Sequence, residues 1–150
     1  MSELNLPVAP LWRRLAAMIY DLLNILGIAL LLAVALVMLA SAIFNSGEPI
    51  GELPISLTAS YFFSVAFFFN MIFWRKKRQT LGMKAWGLVL VNERENQPIS
   101  VAQCVLRVGI GFFSLFLGGL GYWWMLWDKQ EKTWHDHASF TRVVYIPKQK

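Results

Sequence analysis

Three long runs without a charged residue divide the chain. They cover residues 22–44, 55–74 and 108–127, which is 23, 20 and 20 positions. A helix needs about 20 predominantly apolar residues to cross the hydrocarbon core of a bilayer, so each run is long enough. The pattern predicts an all-α integral membrane protein with helices at about 11–44, 55–74 and 100–127, joined by a loop at 75–99 and followed by a tail at 128–150.

The composition agrees with this class. The 150 residues allow one domain, 1–150, and 57% of them are hydrophobic, with 11 Phe and 7 Trp for lipid contact and interfacial anchoring. Arg13 and Arg14 before the first run, and the small residues 40–42 near its end, resemble parts of a signal peptide. The first run is longer than the roughly 7–15 apolar residues of such a peptide and directly follows the charged Asp21, so we expect it to be retained.

Basic residues predict the orientation. The connection at 45–56 has two glutamates and no Lys or Arg, whereas residues 75–78 read RKKR. By the positive-inside rule, the connection lies outside the cytoplasm, and the N-terminus and the loop at 75–99 lie inside it. The formal charge of +5 therefore indicates topology and contact with membrane lipids. No basic stripe is interleaved with aromatics outside the apolar runs, so we expect no nucleic-acid partner.

Short elements are predicted in the loop and the tail. Residues 79–86 favour a short interfacial helix that Gly87 would end. Residues 88–91 and 141–146 are rich in β-branched residues and favour strands. Two short strands are not stable alone, so we expect them to pair as a small cytoplasmic β-hairpin-like element.

This pairing conflicts with a simple third span. A span would carry the tail to the opposite side from residues 88–91, although the basic residues of the tail favour the cytoplasm. Glycines in the GGLG stretch at 118–121 permit a sharp turn, so the third segment is either broken and re-entrant or a plain span. Ser100 with Gln103 forms a capping-box pattern at its start.

Asp21 stands at the mouth of the first apolar run. Arg14, Asp21 and Asn24 share one side of the predicted helix and form a polar stripe that enters the membrane. An ionisable residue at this depth is a candidate for transport, or it pairs with a cation and fixes packing. We expect a pair between Asp21 and either Arg107 or Arg14, and the sequence does not choose between them.

The tail contains both histidines, as His135-Asp136-His137. Residues at i and i+2 of a helix face different ways, and no further His or Cys cluster completes a metal site, so we expect no metal. Asp136 is then a turn cap that pairs with Lys or Arg, and His135 is a candidate proton donor or acceptor. No nucleophile elbow, phosphate loop or dinucleotide motif is present, so we expect neither an enzyme nor a cofactor.

Several motifs in order resemble the RDD family of small, mainly bacterial membrane proteins. They are the Arg-Arg-Leu-x-Ala-x-x-x-x-Asp pattern ending at Asp21, the QTLG-x-K-x-x-G segment at 79–87, Arg107, the GLGY stretch at 119–122 and the His135-Asp136 tail. The resemblance implies that Arg14, Asp21 and Asp136 are the residues that name the family. It also implies transport, with cation/proton antiport in some members. The chain departs from the family at residues 137–140, where HASF replaces a more usual Leu-Ala-Gly.

Two functions follow from these patterns together with the resemblance, which alone implies proton/cation exchange and a bacterial membrane. The first is transport, with exchange of protons for a monovalent cation at Asp21 in a bacterial inner membrane. Two spans and one partial segment cannot enclose a path, so this function requires a homo-oligomer or a partner. The alternative is a non-transporting module that assembles with or regulates a partner protein, its polar residues holding helices together.

Overall fold

The structure is a computed structural model that describes residues 6–44, 48, 51–94 and 97–146. The helices are α1 (Leu11–Phe44), α2 (Ile55–Lys77), α3 (Leu81–Ala85), α4 (Val101–Phe116), α5 (Leu120–Trp123) and α6 (Trp134–Ser139). The strands are β1 (Leu88–Asn92) and β2 (Thr141–Tyr145). Lys148 and Lys150 of the basic tail lie outside the described residues, and the connection at 45–56 is described only in part.

Two helices are long and apolar enough to cross a membrane. They are α1, with 34 residues, and α2, with 23. The predicted bounds of α1 are confirmed, and α2 continues three residues beyond Trp74, to Lys77. Basic side chains in its last turn are favourable because they face the negative end of the helix dipole. Within the unit Leu22–Phe69, the Tyr61 hydroxyl donates a hydrogen bond to the Ala29 carbonyl at 2.6 Å.

The second unit combines Met1–Asp21 with Asn70–Lys150, and its centre is a two-stranded antiparallel sheet. Leu88 of β1 faces Tyr145 of β2, and Asn92 faces Thr141, so the predicted pairing of the two segments is confirmed. The N-terminal segment adds a bridge from Val8 to Val144. The apolar core of this unit consists of buried residues from five elements and from the segments around them: Ala9, Ala17, Met83, Leu88, Leu90, Ile99, Cys104 and Val143.

A short helix connects the second span to the sheet. Thr80 caps α3, its side chain accepting a hydrogen bond from the Met83 N–H. Gly87 follows with a φ of +68°, a conformation that favours glycine, and β1 begins at the next residue. The predicted short helix that ends at Gly87 is therefore confirmed.

The third apolar segment is broken. Helix α4 and the α5 segment, which continues as a 3₁₀ turn to Leu126, meet at 107°. Gly118 and Gly119 at the break have φ of +70° and +79°, so the predicted glycine turn is confirmed. Ser100 and Gln103 form the predicted capping box at the start of α4. Strand β1 precedes this segment and β2 follows it. Because the two strands pair, both ends of the segment lie beside the same sheet. The pairing thus supports the re-entrant form.

Candidate functional site

Asp136 lies between two arginines in the sheet-containing unit. Arg14 Nη1 is 2.5 Å from Asp136 Oδ2, and Arg107 Nη1 is 2.5 Å from Asp136 Oδ1. Asp136 is 0% exposed and each arginine is 5% exposed, so all three charges are removed from water. We call Arg14, Arg107 and Asp136 the charge cluster. It joins α1, α4 and α6, which are distant in the sequence.

Local sequence brings Asp136 to this position. Thr133 is the N-cap of α6, and its hydroxyl accepts a hydrogen bond from the Asp136 N–H at 3.3 Å. The Asp136 carboxylate accepts in return from the Thr133 N–H at 3.4 Å, which completes a capping box. The prediction that Asp136 caps a local turn and pairs with a basic residue is therefore confirmed.

Further hydrogen bonds fix both guanidinium groups. Arg14 donates from Nε to the Ala9 carbonyl at 3.0 Å and from Nη2 to the Val143 carbonyl at 3.2 Å. Arg107 donates to the Thr141 hydroxyl at 2.6 Å, and its guanidinium lies 5.3 Å from the centre of the Trp74 ring. A buried charge is tolerated when such partners replace water. The cluster therefore contacts β2 at Thr141 and Val143 and the chain before α1 at Ala9.

The charge cluster determines which groups are ionised. Burial acts to raise the pKa of the Asp136 carboxyl, but the guanidinium groups of Arg14 and Arg107 outweigh burial and hold that pKa well below its usual range. Burial and the nearby Arg107 charge lower the pKa of His135 to about 3. Near pH 7 the carboxyl is thus ionised and the His135 ring is neutral.

The two histidines of the tail face different ways. His135 is buried, with its ring centre 4.7 Å from that of Tyr122 and its Nε2 3.9 Å from Asp136 Oδ1. His137 is exposed, and its Nε2 lies 3.2 Å from Asp128 Oδ2. Among the described residues, His135 Nδ1 has no hydrogen-bond partner. The opposite orientation expected for positions i and i+2 is confirmed, and the role of His135 in proton transfer stays a prediction.

Asp21 forms a separate site. Its carboxylate accepts hydrogen bonds from the Thr80 hydroxyl and, at 2.8 Å, from the Gly82 N–H. The expected ion pair of Asp21 with Arg14 or Arg107 is wrong, because both arginines pair with Asp136. Arg14 and Asp21 do lie two turns apart on α1, but α6 meets the helix at Arg14, whereas the start of α3 meets it at Asp21.

Close backbone approach makes the Asp21 contact possible. A Cβ placed on Gly82 would overlap the Ala17 carbonyl oxygen and lie 2.9 Å from Asp21 Cγ. Only a residue without a side chain lets the N–H come this near to the carboxylate. Asn24, the third member of the predicted stripe, lies on α1 within the unit Leu22–Phe69 and is half-buried.

Sequence reasoning missed the neutral residues of both sites. Thr80 and Gly82 hold Asp21, and Thr133 and Thr141 support the charge cluster. The spacing of Thr133 and Asp136 is that of a capping box, so a search for caps in the tail would have found this pair. Thr141 shows no comparable local signal, because its partner is 34 positions away.

Comparison with protein families gives one match. The model of the RDD family matches residues 8–139, a range that contains Arg14, Asp21, Arg107 and Asp136. Neither the search of curated proteins nor the search of solved structures gave a match. The matched range covers most of the chain, so the chain belongs to the RDD family and is a membrane protein.

Proposed function

We propose that this membrane protein is a homo-oligomeric transporter that exchanges protons for a monovalent cation at Asp21. The supporting observation is that the Asp21 carboxylate is held by two neutral donors, the Thr80 hydroxyl and the Gly82 N–H. We place the protein in a bacterial inner membrane, as the resemblance to a mainly bacterial family implies. We orient its N-terminus towards the cytoplasm because the RKKR segment follows the second span. The proposal includes no enzymatic reaction and no cofactor.

Neutral donors suit a group that must change its charge. When Asp21 takes up a proton, the hydrogen bonds that its carboxylate accepts from Thr80 and Gly82 weaken, but no buried cation is left without a counter-charge. Asp136 is in the opposite situation, because its protonation would strand the charges of Arg14 and Arg107. Asp21 is thus the carboxylate suited to exchange, and Asp136 is a fixed anion that orders the structure around it.

An exchange path requires more than one chain. The spanning windows of α1 and α2 are 11% and 6% buried, so both helices present most of their surface outward. Two spans cannot surround a water-accessible path between the two sides of a membrane. Copies of the chain would supply the remaining walls, and membrane lipids would cover the apolar surface that the copies leave exposed.

The transport proposal is tested in sealed liposomes. Purified protein is reconstituted with a pH-sensitive dye inside, and Na⁺ or K⁺ gradients are imposed in both directions. Wild-type protein should move protons in response, and Asp21→Asn should abolish this movement while retaining the wild-type oligomer size. Asp128→Asn removes a partly exposed carboxylate outside the two spans and should retain the flux. Absence of proton movement by wild-type protein under every gradient contradicts the proposal.

A groove beside the sheet favours the alternative of a partner-binding module. It has a volume of about 640 Å³ and is lined by Val8 of the N-terminal segment and by charged and polar residues of the loop and tail: Glu93, Lys129, Gln130, Glu131, Lys132 and Arg142. A module of this kind needs the groove but not an exchangeable Asp21. Under the alternative, Asp21→Asn would leave partner binding intact, and Lys129→Glu in the groove would reduce it.

A further inference from the structure

A second cavity lies where the apolar part of α2 gives way to its basic end. Its volume is about 290 Å³, and its walls come from α2 and from the segment that leads into α4: Met71, Ile72, Arg75, Lys76, Pro98 and Ile99. This volume is near the lower end of the roughly 300–1,000 Å³ of small-molecule sites. It suits a headgroup and the beginning of an acyl chain better than an entire lipid molecule.

The α2 wall changes from apolar to cationic over one helical turn. Met71 and Arg75 are four residues apart, as are Ile72 and Lys76, so the two pairs lie on one face. At 1.5 Å per residue, the cations lie about 6 Å farther along the axis than the apolar side chains. A phospholipid has the same order along its length, with an acyl chain next to glycerol and then phosphate.

The cations of this cavity are available to a ligand. Arg75 and Lys76 are exposed, and within the described part of the chain the structure gives neither of them a carboxylate partner. The opposite wall ends at Ile99, which is buried, and α4 begins two residues later with the positive end of its dipole. Both features favour a negative group at the cationic end.

We propose that this cavity binds one anionic phospholipid, with the phosphate on the two cations and the start of an acyl chain along the apolar wall. A lipid is the occupant that the position indicates, since the cavity opens at the end of a helix long and apolar enough to span. Basic pockets beside membrane helices are a known mode of anionic headgroup recognition. The site is independent of Asp21 and of the charge cluster.

Lipid retention measured by native mass spectrometry tests the site. Full-length protein in a neutral detergent is titrated with phosphatidylglycerol or with phosphatidylcholine of the same acyl chains. One phosphatidylglycerol should be retained per chain at concentrations where phosphatidylcholine is not. Water-soluble glycerol phosphate tests whether the site binds a lipid or any free phosphate compound. It should not displace the lipid, because it lacks the acyl chain, and displacement at concentrations similar to those of the lipid overturns the proposal.

The RKKR segment supplies a matched pair of variants. Arg75→Gln/Lys76→Gln removes both cations of the cavity and should weaken phosphatidylglycerol binding roughly 25-fold, since each basic side chain near an anionic lipid contributes about fivefold. Lys77→Gln/Arg78→Gln removes the same charge from the same helix end but outside the cavity, and should change binding less than about twofold. Equal losses in the two double variants would indicate a general charge effect and reject the site.

A measurement on wild-type protein decides the question even if the double variants do not fold. Phosphatidylglycerol with a photoactivatable group near the start of its acyl chain is bound and illuminated. Mass spectrometry of the peptides should place the adducts at Met71, Ile72 or Ile99. Adducts that are confined to other parts of the chain contradict the proposal.

Discussion

Arg14 and Asp136 are separated by 122 positions in the chain, yet Arg14 Nη1 lies 2.5 Å from Asp136 Oδ2. The contact ties the start of the first span to the last helix. Arg107 Nη1 contacts the other oxygen of the same carboxylate, so one aspartate is the counter-charge for an arginine of α1 and an arginine of α4. We therefore expect the stability of the unit that contains the sheet to depend on the buried Asp136 carboxylate.

Removal of that charge should be strongly destabilising. Asp136→Asn leaves Arg14 and Arg107 buried without a counter-charge, and breaking a buried pair in this way costs about 3–5 kcal/mol. Thermal unfolding in detergent should show a large fall in Tm. Glu131→Gln, at an exposed position five residues earlier, should leave the Tm nearly unchanged. An Asp136→Asn protein as stable as wild type would show that the cluster does not stabilise the fold.

Gly82 should not tolerate a side chain. Gly82→Ala places a Cβ against the Ala17 carbonyl and the Asp21 carboxylate, and such overpacking costs roughly 1–3 kcal/mol. Gly109→Ala is the matched control, because no described atom beyond its chain neighbours and the backbone of its own helix lies within 4 Å of the added Cβ, and it should be neutral or slightly stabilising. Denaturation of both variants in one detergent gives the comparison. Similar stabilities would mean that α1 and α3 are not closely packed in solution.

Acid should destabilise the fold in two steps. His135 has a pKa of about 3 when folded and near 6.5 when unfolded, so between these values the unfolded chain binds more protons. Stability is therefore greatest above pH 6.5 and falls as the pH decreases towards 3, by roughly 2 kcal/mol between pH 6.5 and 4.5. Below about pH 4, Asp136 adds to the loss, because its folded pKa is lowered and protonation favours the unfolded state.

Variants of the two histidines separate this effect from other titrations. His135→Gln removes the buried imidazole, so Tm measured from pH 7.5 to 4.5 should fall less steeply than in wild type. His137→Gln changes the exposed histidine of the same helix and should retain the wild-type slope. If His135→Gln leaves the slope unchanged, the acid sensitivity has another origin.

The broken third segment should put β1 and the tail on the same side of the membrane. In a Cys104→Ser background, single cysteines at Arg94 and Glu131 should react with a membrane-impermeant maleimide from one side. A cysteine at Glu52, in the connection between the two spans, should react from the other side. These three positions are exposed in the structure. Labelling of Glu131 from the Glu52 side would show that the third segment spans.

Sequence patterns were sufficient for the local elements. The length of the apolar runs predicted α1 and α2, since crossing a membrane requires a fixed number of apolar residues. Gly118 and Gly119 predicted the break, because few other residues adopt a positive φ. The pairing of the two strands followed from their composition and from the instability of either one alone. The helices and the break depend on neighbouring residues, and for the sheet the sequence indicated which two segments form strands and need a partner.

Tertiary structure decided which charges meet. The sequence indicates that Arg14, Asp21, Arg107 and Asp136 need partners, but a guanidinium accepts any carboxylate that packing brings within reach. Arg14 and Asp21 lie on one side of α1. Arg14 pairs with Asp136 because α6 packs beside it. Asp21 instead accepts from Thr80 and Gly82, because the start of α3 packs there. Helix and strand preferences are local, whereas the identity of a buried ion pair depends on contacts between segments far apart in the chain.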